Sequence, residues 1–139
     1  MPPYRNLNAW KHAQRLAVEC AKLARGFPPY EQEALADELR RSSYRVPISI
    51  ADGIARKDTR FCRASFDNAR AALAEVETIL EIGRDLGYID ASTYRRVESV
   101  ATEASKTLYG FLRKMPEVPA SAAREALAMT LRAQSAPST

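Results

Sequence analysis

Residues 40–60 read RRSSYRVPISIADGIARKDTR. The stretch holds six basic residues, Arg40, Arg41, Arg45, Arg56, Lys57 and Arg60, against two acids, Asp52 and Asp58. Leu39, Val46, Ile50 and Ile54 keep helical spacing on both sides of Pro47. A proline inside a helix removes one backbone donor and crowds the carbonyl four residues earlier, here that of Ser43, at a cost of about 3 kcal/mol. A new helix starting at Pro47 would take Val46 as its cap, a poor residue for that position. The better reading is therefore one helix kinked at Pro47, with the Ser42 and Ser43 hydroxyls bonding local carbonyls to ease the bend.

The faces of this helix separate cleanly by spacing. Leu39, Val46, Ile50 and Ile54 point into a core, while Arg41, Arg45, Ser49, Asp52 and Arg56 make a polar side. A second apolar row remains, Tyr44, Ile48, Ala51 and Ala55. A helix in a monomeric bundle needs one buried face, so the second row predicts contact with another subunit. The plainer alternative is a broad core stripe with exposed alanines.

The same periodicity extends outward in both directions. From Leu7, Trp10, Ala13, Ala17, Cys20 and Ala24 form a seam widened by Leu16 and Leu23, ended by Gly26 and Phe27-Pro28-Pro29. Glu31 and Glu33 suit the positive start of the kinked helix. Asp58 or Thr59 caps a third helix with the seam Cys62, Phe66, Ala69, Leu73, Val76, Leu80 and Gly83. Asp90 or Ser92 caps a fourth, seamed by Val97, Ala101, Ala104, Leu108, Phe111 and Met115 and stopped by Pro116. Short connections between near-heptad seams predict an all-α fold, an antiparallel up-down four-helix bundle over residues 1–115. Residues 116–139 form an alanine- and serine-rich tail, read as a short helix over 121–133 followed by disorder in the last six residues.

Composition narrows the function. A chain of 139 residues is one domain by length, and it buries roughly 68–70% of its unfolded surface without needing a metal or disulfide. Cys20 and Cys62 lie far apart at apolar helical positions, which reads as buried reduced thiols. The N-terminus lacks the apolar core of a signal peptide, and no run approaches the ~18 apolar residues of a membrane span, so the compartment is read as cytoplasmic. His12 is the single histidine, which leaves no Ser-His-Asp or Cys-His set to assemble. No phosphate-loop motif is present, Gly53 before Arg56 and Lys57 being only an echo of one. Glu75, on helix three, is placed to meet an arginine of helix two, and Glu77 and Glu81 with nearby Arg84 read as a solvated charged face. No catalytic, cofactor-binding or metal-ligating residue is assigned. The net charge of +4 equals that of residues 40–60 alone, which points to a local basic patch.

Leu7-x-x-Trp10-x-x-Ala13, Phe27-Pro28, Glu33, Leu39-Arg40-Arg41 and above all Val46-Pro47-Ile48-Ser49-Ile50-Ala51-Asp52-Gly53-Ile54-Ala55-Arg56 follow one another in an order that can be compared with known families. With Leu73-Ala74-Glu75-Val76-Glu77 and Leu86-Gly87-Tyr88-Ile89, this order resembles the four-helix-bundle proteins encoded in 23S ribosomal-RNA intervening sequences. The resemblance covers about residues 4–115. It departs from the family pattern at Ser49, where asparagine is usual, at Asp52 for glutamate, at Glu38 for glutamine and at Ala71-Ala72 for Gly-Ser. It implies a homo-oligomer, typically a pentameric barrel. The chain is similar also to accessory proteins of diversity-generating retroelements, which associate with a reverse transcriptase and nucleic acid.

Two functions follow as expectations. The first is a non-enzymatic oligomeric scaffold whose Arg40, Arg41, Arg45, Arg56, Lys57 and Arg60 contact the phosphates of RNA or DNA, with Tyr44, Ile48, Ala51 and Ala55 at the subunit interface. The second is a protein-binding adaptor, with arginines that pair with Asp37, Glu38 and Asp52 and have no nucleic-acid role.

Overall fold

The computed structural model describes residues 3–115 and 120–135, and all regular structure among them is helical. Helix α1 spans Asn8–Arg25, α2 Leu35–Ala55, α3 Thr59–Asp85, α4 Ala91–Arg113 and α5 Ala120–Ser135, with short 3-10 turns at Pro3–Asn6 and Pro29–Glu31. Helix α1 packs on α2 and α4, α3 packs on α2 and α4, and α5 lies on α3. One apolar core runs through the first four helices, a bundle arrangement.

The seams read from spacing are the buried ones. Ala13, Leu16, Cys20 and Ala24 of α1, Leu39, Val46 and Ile50 of α2, Phe66, Ala69, Leu73, Val76 and Leu80 of α3, and Val97, Ala101, Ala104 and Leu108 of α4 all enter the core. Trp10, Leu23, Ile54, Cys62, Phe111 and Met115 pack at its margin. Phe66 and Phe111 bring α3 and α4 together, with ring centroids 4.7 Å apart.

Of the alternative caps, the structure selects Asp58 and Asp90. Asp58 accepts from the Arg60 amide and Asp90 from the Thr93 amide, each at 2.8 Å. Helix α2 begins at Leu35, later than the acids at 31 and 33 suggested. Glu31 instead sits in the 3-10 turn, where its carboxylate accepts from the Leu35 amide.

Three differences from the sequence reading concern α2 and the tail. Ser43 donates to the Arg40 carbonyl as expected, whereas Ser42 donates to the Glu75 carboxylate across the α2–α3 contact. Ser49 is buried rather than on the polar side, because α3 closes over it. Helix α5 includes Gln134 and Ser135, so it runs past the predicted end at 133 and into the six residues expected to be disordered; 136–139, like Pro116, lie outside the described residues. Leu127 and Leu131, one turn apart on α5, line a groove with Ala71 and Ala72 of α3.

Three carboxyls tie the ends and sides of the helices. The Arg96 guanidinium, 2.6 Å from the Glu19 carboxylate, holds that group below the usual carboxylate range and links α1 to α4. The Arg60 side chain lowers Asp58, and the Thr93 amide lowers Asp90. Groups with folded pKa values below their unfolded values add stability that is complete above the unfolded range, about pH 4, and is lost as pH falls through the folded values. Urea denaturation followed by circular dichroism should therefore show a loss of stability between about pH 5 and pH 2. Asp90→Asn, which keeps a good cap without a titrating group, should match the wild type at neutral pH and lose less on acidification.

Candidate functional site

The six basic residues of 40–60 lie along α2 and its corner with α3, and five of them already have acidic partners. Arg40 donates to the Gln32 carbonyl at 2.7 Å and to its side-chain oxygen at 3.3 Å, with Asp37 at 3.9 Å. Gln32 in turn donates to the Ala24 and Phe27 carbonyls, so Arg40 helps to lock the α1–α2 connection. Arg41 meets Asp37 at 3.0 Å, Arg45 meets Glu75 at 3.6 Å, and Arg56 meets Asp52 at 3.3 Å. Arg60 meets Asp58 at 3.0 Å and approaches Glu125 of α5 at 4.0 Å. Lys57 forms no ion pair among the described residues. Arg56 and Arg60 both lie over the Phe61 ring, 5.7 and 5.8 Å from its centroid.

Asp37 and Glu75 fall outside residues 40–60, so counting charge within that stretch overstated its positive potential. The expected link between Glu75 and an arginine of α2 is present. Glu38 joins none of these pairs. On α3, Arg84 pairs with Asp85 at 2.9 Å and stacks on the Tyr94 ring, 4.5 Å from its centroid. Burial pushes the Glu77 carboxyl upward, and the neighbouring Glu81 and Glu98 add to the shift.

Cations without an ion pair are found instead on a helix that the sequence reading passed over. Lys11, Arg15, Lys22 and Arg25 of α1 are exposed, and among the described residues none has a carboxylate within ion-pair distance. Their positions, with Val18 between them, step by four and three. That signal was available in the sequence as a polar counterpart of the apolar seam.

The second apolar row of α2 faces outward. Ile48 is 65% exposed and Tyr44 41%, with Ala51 half-buried and Ala55 exposed. Tyr44, Pro47 and Ile48 form one wall of a groove of about 440 Å³, and Ala17, Val18 and Ala21 of α1 form the other. Val18 is itself 43% exposed, so the apolar surface continues across both helices. A second groove, about 610 Å³, lies between α2 and α3 and is lined by Leu35, Ile79 and Ile82 with Arg41, Arg45 and Glu75 at its edge.

Among the described residues no three His, Cys, Asp or Glu side chains gather as a metal site, and no helix is long and apolar enough to cross a membrane. The surfaces on offer are an ion-paired helix, an unpaired basic helix and an apolar groove between them. These define an all-α helical-bundle protein. The chain belongs to the 23S rRNA-intervening sequence protein family, whose pattern matches residues 5–110. No curated protein matches the chain.

Cys20 and Cys62 are both free thiols. Burial pushes Cys20 up to about 12 and raises the half-buried Cys62 less far. The thiolate is the reactive form, so at mildly alkaline pH a disulfide reagent should label Cys62 first. Cys20 should label only at the rate of unfolding, and equal rates for the two would show the α1 core to be open.

Proposed function

We propose that this chain is a non-enzymatic homo-oligomeric scaffold, assembled through the apolar face that α2 turns away from its own core. The observation that carries the reading is the continuous exposed surface of Tyr44, Ile48 and Val18 along the α1–α2 groove. Large apolar side chains grouped in this way favour burial against another protein surface. Ala51 and Ala55 extend the row with small side chains that permit close approach. Family membership is consistent with a ring of subunits, and a pentamer is the expected size. Residues 1–115 would form the assembling unit, with the segment from 116 appended to it.

Within this reading the four helices form an antiparallel up-down bundle with α2 bent at Pro47. In support, Ser42 meets Glu75 while Asp52 meets Ser65, so positions rise along α2 as they fall along α3. Arg63 near the start of α3 bonds the Leu112 carbonyl near the end of α4, and Arg84 near the end of α3 meets Tyr94 near the start of α4. Pro47 has no amide to give the Ser43 carbonyl, and it lines the α1–α2 groove.

A second reading adds phosphate contacts to the scaffold. Lys57, which forms no ion pair among the described residues, and the Arg56–Phe61–Arg60 corner favour it, since a stacked aromatic between cations suits a nucleic-acid strand. The protein-adaptor alternative keeps the arginines structural, in line with their pairing to Asp37, Asp52 and Glu75.

Light scattering coupled to size exclusion tests the scaffold. The wild type should run as a multiple of 15.5 kDa at micromolar concentration, and Ile48→Glu should yield smaller species with unchanged helical signal. A wild-type monomer would sink the reading. Pro47→Ala restores a backbone donor and a better helix former. It should keep the helical signal but lose the native oligomer size; normal assembly with a higher melting point would mean the bend has no part in subunit packing.

A further inference from the structure

We infer that the outer face of α1 is a binding surface for a phosphodiester backbone, with Lys11, Arg15, Lys22 and Arg25 as its contacts. The proposal rests on the phosphate reading above, and it moves most of the binding from α2 to α1. Lys22 and Arg25 also line the α1–α2 groove assigned to assembly, so the row borders that surface, while Lys11 and Arg15 lie outside it.

The four cations form a single row. Positions 11, 15, 22 and 25 follow steps of four, seven and three, with Val18 between the two pairs, which keeps them on one line along a helix. At about 1.5 Å per residue the row spans about 21 Å. Over that length one strand of a duplex carries about six phosphates, at about 3.4 Å per phosphate. All four side chains are exposed, directly opposite the buried Ala13, Leu16, Cys20 and Ala24.

Among the described residues no carboxylate lies within ion-pair distance of this row, although Glu19 attracts Arg15 and Lys22 from beside it. Glu19 is the sole acid of α1, and it turns toward α4 to bond Arg96 at 2.6 Å. By contrast, five of the six basic residues of 40–60 already hold carboxylates. A phosphate at α2 would have to displace those carboxylates, whereas one at α1 would displace only water and counterions.

Local helix stability accounts for only part of the row, since Glu19 attracts Arg15 and Lys22 from four and three residues away. Lys22 and Arg25 suit the negative end of the helix dipole, but Lys11 lies one turn from the positive end, where no acid offsets it. Lys11 and Arg15 are like charges four residues apart, a spacing that weakens a helix. Conflicts of this kind between local preference and placement mark functional surfaces.

The test is fluorescence anisotropy of the full chain with labelled random-sequence duplex and single-stranded DNA across a salt series. Release of counterions by four contacts gives a log–log salt slope of about −3.6 for duplex and about −2.8 for single strands. The variant carrying Lys11→Gln, Arg15→Gln, Lys22→Gln and Arg25→Gln should lose most of that slope and bind at least about tenfold more weakly at low salt. The variant carrying Arg41→Gln, Arg45→Gln, Arg56→Gln and Arg60→Gln should keep the slope within about one unit. Should the α1 variant lose its helical signal, the Lys11/Arg15 and Lys22/Arg25 double variants are measured instead, and each should remove about half the slope. Binding by the wild type that the α2 variant abolishes and the α1 variant retains would overturn this proposal alone. Absence of wild-type binding at low salt would overturn both this proposal and the phosphate reading. Competition by poly-glutamate as strong as that by DNA of equal charge would overturn the phosphate class in favour of an acidic polypeptide. Light scattering on the same samples shows whether the changes at Lys22 and Arg25, which line the assembly groove, alter oligomer size. The Lys11/Arg15 double variant, outside that groove, should lose salt slope with its oligomer size unchanged, and an unchanged slope in it would overturn the α1 proposal.

Discussion

The packing of α2 against α3 is the contact on which the remaining structure depends, because it places both the core and the exposed surfaces of α2. Ser42, Ser49 and Gly53 lie on the side of α2 that meets α3, and Ser65, Ala69 and Ala72 line the opposing side. Small side chains let the two backbones approach. A methyl group placed on Gly53 would stand 3.1 Å from the Phe66 ring and 3.3 Å from the Cys62 carbonyl oxygen. With that side occupied and Leu39, Val46 and Ile50 in the core, the rotation of α2 is set. Tyr44 and Ile48 then have no place inside the subunit.

The same contact governs electrostatics. Because α3 comes close, Glu75 reaches both Ser42 and Arg45, and Asp52 reaches both Ser65 and Arg56. Each carboxylate is thus held by a hydroxyl and a guanidinium at the edge of the packed region. Exposed ion pairs of this kind add little stability. Their larger effect is on the field around α2, which is lower than its arginine content suggests. On the outer face of α1 the neighbouring acid, Glu19, bonds Arg96, and Lys11, Arg15, Lys22 and Arg25 form no ion pair among the described residues.

Much of the fold was legible because it follows from local geometry. The helical period places Leu16, Cys20, Phe66, Leu73, Val97 and Leu108 on inward faces whatever the neighbour, and each is buried. Asp58 and Asp90 are caps for an equally local reason, since a short carboxylate can reach an amide two or three residues on. The apolar row of Tyr44 and Ile48 was visible for the same reason, as a second periodicity on a helix already supplied with one. Family membership was legible in the run from Val46 to Arg56.

What the sequence determined by itself, then, is the set of helices, their inward faces and the presence of a surplus apolar row on α2. Tertiary structure decided where the charge is cancelled and where it stays open. Arg41 and Arg45 are neutralised by Asp37 and Glu75, one of them thirty residues away, while Lys11 and Arg25 form no ion pair among the described residues. It also decided that Ser49 is covered and that Leu127 and Leu131 of α5 lie against α3. The physical reason is range. Helical periodicity and capping act within a turn or two of chain, whereas an ion pair depends on a distance through space between residues that only packing brings together.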